Sequence, residues 1–120
     1  MDDKELQRGD EITPSLLKSI ENSRIAIVVF SENYATSSFC LDELVHIINY
    51  FKEKGRLVLP VFYGVEPSHV RHHNNKYGEA LAEFEERFQN NKENMDRLQK
   101  WKIALNQVGN LSGFHFKYAS

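Results

Sequence analysis

Glu43 is the residue best placed to do chemistry. It lies in the run Ser37-Ser38-Phe39-Cys40-Leu41-Asp42-Glu43-Leu44, which opens a helical pattern just after the strand-like run Arg24-Ile25-Ala26-Ile27-Val28-Val29-Phe30-Ser31. A carboxylate in the first turn or two of a helix that follows a buried strand stands beyond that strand's carboxyl end. In open α/β folds this is where ligands bind. At about 100° per residue, Glu43 falls roughly 90° from the centre of the helix's apolar stripe, at the boundary between core and solvent. The competing reading is a solvated glutamate near a helix N-terminus, favoured by the macrodipole. Spacing alone favours the solvated reading, because exposed glutamate is common.

Ser38, Phe39 and Cys40 share the same helix start. Phe39 offers either an aromatic face for stacking on a base or an aromatic for the core or an interface. Cys40 lies on the apolar stripe and reads as a small core residue, not a nucleophile. His69, His72 and His73 share one polar stretch. No cysteine or clear carboxylate partner completes a tetrahedral set with them, so no metal is expected.

The elements that must hold these residues follow from periodicity. Thr13 suits a helix cap and Pro14 the first helical position, with Leu16, Leu17 and Ile20 on one face. The continuous apolar run 25–30 predicts a strand without a solvent face, so layers are expected on both sides of its sheet. A helix is expected from Ser38 to Lys54, with Gly55 as its stop. Leu57 to Tyr63 reads as a second buried strand, and Pro60 predicts an interruption or an edge position. Residues 64–76 read as a long polar loop. Tyr77, Leu81, Phe84 and Phe88 mark a short helix with an acidic outer face, and 89–93 a linker. Leu98, Trp101, Leu105 and Val108 mark a last helix, stopped by Gly113, before a short strand Phe114-His115-Phe116. Strands alternating with helices predict an α/β domain with a parallel sheet.

The 120 residues suit one small domain, and 41% hydrophobic with 27% charged residues is ordinary globular composition. A net charge of −2 gives no reason to expect a nucleic-acid partner. No apolar run approaches the roughly 20 residues of a membrane span, and Met1-Asp2-Asp3-Lys4 lacks a signal-peptide core. Cys40 is the single cysteine, which excludes an internal disulfide and suits a reducing, cytosolic setting.

Several of these stretches together resemble the TIR (Toll/interleukin-1 receptor/resistance protein) domain in its plant form. They are 2–12, 23–31, Ser38-Phe39-Cys40-Leu41-Asp42-Glu43-Leu44, Val58-Leu59-Pro60-Val61-Phe62-Tyr63 and Pro67-Ser68-His69-Val70-Arg71. The resemblance covers essentially all of residues 1–120 and implies one TIR domain with a flavodoxin-like fold, its strands in the order 2-1-3-4-5. Against that pattern the chain is expected to lack the first strand, the first helix and most of the second strand. Strand 25–30 would then be a sheet edge through which the chain self-associates, with Val28 as the position whose charging should oppose this.

The resemblance also implies an activity, NAD+ hydrolysis or cyclisation in plant defence and cell death after self-association. Glu43 matches the family's catalytic glutamate. Breaking the nicotinamide–ribose bond builds oxocarbenium-like charge on the sugar, which a carboxylate beside the ribose stabilises. Ser38, Phe39 and Cys40 match the neighbourhood that shapes the NAD+ pocket. Gly9, in the loop from Lys4 to Glu11, matches the loop that borders it. NAD+ is expected as substrate, with no permanently bound cofactor. Other TIR domains are the expected partners, and the cytoplasm, with the nucleus as a further compartment, the expected location. The alternative is a non-catalytic TIR–TIR interaction module, which the missing strand favours. A receiver domain of similar fold is set aside, because Ser31 stands where the strand-end aspartate would be.

Overall fold

The computed structural model describes residues 14–117. Helix α1 (Pro14–Asn22) leads into β1 (Ile25–Phe30), and a 3-10 turn (Tyr34–Thr36) precedes α2 (Ser38–Lys54). Then come β2 (Leu57–Tyr63), α3 (Pro67–His72), α4 (Lys76–Arg87), α5 (Lys92–Gly109) and β3 (Phe114–Phe116). The three strands form one parallel sheet in the order β1-β2-β3. Among the described residues, no helix is long and apolar enough to cross a membrane.

Local chemistry fixes α2, the helix that carries Glu43. The Ser37 side chain accepts a hydrogen bond from the Cys40 N–H at 3.2 Å, satisfying one of the first turn's unpaired donors. Lys52 and Lys54 in the last turn suit the negative end of the macrodipole. Gly55 closes the helix at φ 66°, the left-handed conformation that glycine adopts without a Cβ clash. The Arg56 guanidinium then donates to the carbonyls of Glu21 and Ser23, tying the end of α1 to the start of β2.

The inward residues Val28, Phe30, Val58 and Phe62 join one core with Leu44 and Phe51 of α2 and Leu98 and Trp101 of α5. Phe30 and Phe62 stack at 5.6 Å between ring centres, side by side in register.

Four expectations change. Strand β1 does have an exposed face: Ile25, Ile27 and Val29 point away from the core and are exposed, whereas Val28 is buried. Strands alternate side chains, and among the described residues the core helices cover one face of the sheet only. Val28 is therefore the wrong position at which to charge the outward surface. Second, Pro60 lies in an uninterrupted, central strand. The ladder tolerates it because β3 pairs with β2 only from Val61 onward. Third, the stretch 64–76 is not all loop: Pro67 starts α3, where its missing N–H costs nothing. Fourth, α5 ends at Gly109, so Gly113 is not its stop.

Gly113 serves close approach instead. A Cβ added there would lie 2.0 Å from the Pro60 carbonyl oxygen. Gly113→Ala must push β3 off β2 and is expected to cost about 1–3 kcal/mol. The Gly64 N–H donates to the Phe116 carbonyl at 2.8 Å, so it should exchange faster in the variant. Unchanged stability and unchanged exchange at Gly64 would show that β3 adapts freely.

Candidate functional site

Glu43 sits in the second turn of α2, the helix that follows β1, and is half-buried. Burial pushes its carboxyl above the usual carboxylate range. Among the described residues, no hydrogen bond or ion pair holds the carboxylate. Its charge is therefore not already neutralised by the fold.

Three other titratable groups share this neighbourhood. Burial pushes the Tyr34 phenol well up, with Cys40, Glu43 and Tyr77 adding to the shift. The Cys40 thiol is raised by burial and, to a lesser degree, by Glu43. The Tyr77 phenol is raised by burial and then by Cys40. Of the four, Glu43 is the group that ionises first, and the others stay neutral around it. Hydrogen bonds fix their frame: the Tyr34 hydroxyl donates to the Cys40 carbonyl at 3.1 Å, and the Tyr77 hydroxyl to the Ser31 carbonyl at 2.7 Å. The second bond ties the start of α4 to the residue that follows β1. A raised, unpaired carboxylate in a neutral setting can favour positive charge developing in front of it.

The sequence-predicted neighbours divide. Ser38 and Cys40 are half-buried in the first turn, and the raised Cys40 thiol is a poor nucleophile. Phe39 is 4% exposed, so burial matches its reading as an interior aromatic, and stacking on a base would require the ring to move. Gly9 and the loop from Lys4 to Glu11 lie outside the described residues. The histidines do not converge. His69 faces a cleft, His72 accepts from Arg71, and the His73 ring meets the Lys102 carbonyl at 2.9 Å. Among the described residues, no group of three His, Cys, Asp or Glu side chains is arranged to hold a metal ion.

Sequence reasoning missed Asp42. Its carboxylate receives the Arg97 guanidinium through both oxygens and also the Trp101 indole N–H at 2.9 Å. The partners lie 55 and 59 residues away, beyond the reach of any local pattern. Only the spacing of Arg97 and Trp101, four apart on one helix face, hinted at a shared target. Of the two adjacent acids, Asp42 locks α2 against α5 and Glu43 is left open.

Two clefts lie apart from Glu43. One, of about 220 Å³, opens at the carboxyl ends of the strands between Glu32, Glu66, His69, Lys76 and His115. The other, of about 500 Å³, lies at the opposite end between Ile48, Lys52, Val58, Asn106 and Leu111. Glu43 lines neither.

Comparison with known proteins gives a consistent result. The family model described as "TIR domain" matches residues 1–120. Disease resistance protein RPV1 of Vitis rotundifolia is 49% identical over 113 residues, 94% of this chain and 8% of that protein. TMV resistance protein N of Nicotiana glutinosa is 46% identical over 112 residues, 93% of this chain and 10% of that protein. The chain thus spans about a tenth of the length of these relatives. Among solved structures, the TIR domains of the activated Roq1 resistosome, which recognises the pathogen effector XopQ, superpose with a TM-score of 0.81. The identity is 44%, over 96% of this chain and 68% of that one.

Proposed function

The chain belongs to the TIR domain family, and from that premise we propose that it acts in plant immune signalling by cleaving NAD+, with Glu43 as the catalytic carboxylate. The observation that carries this reading is Glu43 itself: half-buried, raised by burial and held by no partner among the described residues. Loss of nicotinamide leaves cationic charge on the ribose, and the carboxylate stabilises that charge. Water then adds to give ADP-ribose, or a group of the nucleotide itself adds to give a cyclic product. Ser38 and Cys40 flank the approach, and Gly9 belongs to the loop proposed to border it. NAD+ is a substrate in this reading and no cofactor is held between turnovers. Self-association with other TIR domains switches the activity on, in the cytoplasm or the nucleus. The resistosome assembly of the matched Roq1 domains supports that choice of partner.

The test is release of nicotinamide from NAD+ by the chain, free and clustered on a multivalent support, with Glu43→Ala beside it. Release by the wild type and none by the variant supports the reading. Equal release by both removes Glu43 from the chemistry.

A second reading has one observation in its favour: Glu43 lines neither of the two clefts described above. The chain would then be a non-catalytic module that binds other TIR domains and competes with them. Intact NAD+ in the clustered wild type, together with binding to another TIR domain, would support it.

A further inference from the structure

Tyrosine hydroxyls hold the connection between β1 and α2 at two points. The Tyr77 hydroxyl on α4 donates to the Ser31 carbonyl at 2.7 Å, and the Tyr34 N–H donates to the same oxygen at 3.3 Å. Both lone pairs of that carbonyl are thus occupied. Tyr34 continues the chain of bonds: its own hydroxyl donates to the Cys40 carbonyl at 3.1 Å. Its ring rests on Phe30, the last residue of β1, at 4.6 Å between ring centres, and Phe30 in turn stacks on Phe62. The phenol therefore reaches α2 from a fixed base on the sheet.

The Cys40 carbonyl lies inside α2, where it already accepts the Leu44 N–H in the helical pattern. The Tyr34 hydroxyl is a second donor on it. A bond to an acceptor that is already satisfied adds little to the helix itself; it fixes where the turn lies relative to β1. Cys40 and Glu43 are three residues apart and so are neighbours on one helix face. The Glu43 charge is close enough to act on the Tyr34 phenol. Asp42, next in the chain, is taken up by Arg97 and Trp101 of α5. This part of α2 is therefore gripped from two directions, with Glu43 on the turn that both ties hold.

We propose that Tyr34 is a positioning residue for Glu43: its hydroxyl sets the place of the α2 turn that carries the carboxylate, and Tyr77 steadies Tyr34 through Ser31. Its effect on turnover rests on the reading of Glu43 as the catalytic carboxylate, whereas the placement of the side chain does not.

Tyr34→Phe tests this, since it removes one oxygen and keeps the ring on Phe30. Carboxyl carbon NMR of the labelled chain follows the Glu43 titration directly. Tyr34, Cys40 and Tyr77 stay neutral around it, and Asp42 is paired with Arg97, so a change in that titration reports water reaching the carboxyl. In Tyr34→Phe the titration should move down toward the ordinary carboxylate range, and in Tyr77→Phe by less in the same direction. Nicotinamide release by the clustered chain should show kcat lower by about 10- to 100-fold in Tyr34→Phe, with KM within about twofold. Tyr50→Phe, which alters a half-buried phenol later in α2, should move neither. An unmoved Glu43 titration in Tyr34→Phe, or an unchanged kcat where the wild type is active, overturns the proposal. So does a shift in Tyr50→Phe as large as that in Tyr34→Phe. A titration that moves while the wild type leaves NAD+ intact upholds the placement by Tyr34 and removes the catalytic reading instead.

Discussion

Replacing Glu43 by Gln should abolish NAD+ cleavage and at the same time make the fold more stable at neutral pH. The loss of turnover is expected to be on the order of 10³-fold, the scale for removing one electrostatic group aimed at transition-state charge. The gain in stability follows from linkage. Burial raises the Glu43 carboxyl in the folded chain above its ordinary value. A raised folded pKa favours the fold while the group is protonated, below the unfolded value. That advantage is lost as pH rises through the raised value. At neutral pH the ionised Glu43 therefore weakens the fold, and a neutral isostere removes the cost. Denaturant melts at two pH values check this. The variant should gain on the wild type at pH 7 and match it well below the carboxylate range. Equal stability at both would mean that the carboxylate is solvated. If Glu43 acts as proposed, wild-type turnover should rise with pH through the same raised value, since the ionised form would stabilise the developing charge. A folded Glu43→Gln chain that cleaves NAD+ at the wild-type rate would falsify the catalytic assignment.

Much of the architecture was legible because it rests on local signals. Helix α2 was bounded by Gly55, which the structure places in the left-handed conformation that ends helices. The apolar runs marked β1 and β2, and Phe114-His115-Phe116 marked β3. The failures came where a run had more than one physical solution. Ile25 to Phe30 is apolar at every position, so periodicity could not reveal that its odd-numbered residues face outward. Pro60 argued for an edge, yet the partner strand simply begins one residue later. The short α3 was hidden among polar residues because its helical signal amounts to one buried side chain, Val70. At the candidate site, Glu43 was singled out by its place after a strand, and its proposed role came from the family resemblance. The role of its neighbour Asp42 was invisible, because both partners lie on α5.

That neighbour should matter more to stability than any other polar side chain described here. Asp42 accepts three hydrogen bonds, two from Arg97 and one from the Trp101 indole. These bonds are unequal. The ion pair is partly open to water, with side-chain exposures of 36% for Arg97 and 27% for Asp42. Pairs of that kind contribute about 1 kcal/mol or less. Trp101 is fully buried, wedged against Phe84 at 4.9 Å and Phe88 at 5.8 Å, with the Arg97 guanidinium over its ring. Its N–H loses its acceptor once the carboxylate is gone, and an unsatisfied buried donor costs about 1–3 kcal/mol. Asp42→Ala is therefore expected to cost about 2–4 kcal/mol in all. Asp42→Asn keeps an oxygen for the indole and should cost about 1 kcal/mol, the share of the lost charge. Trp101→Phe removes the donor itself, so Asp42→Ala should cost clearly less in that background than alone. Denaturant unfolding of the four chains closes the cycle. If Asp42→Ala costs the same with and without the indole, the ion pair carries the link between α2 and α5. In that case the buried N–H finds another acceptor.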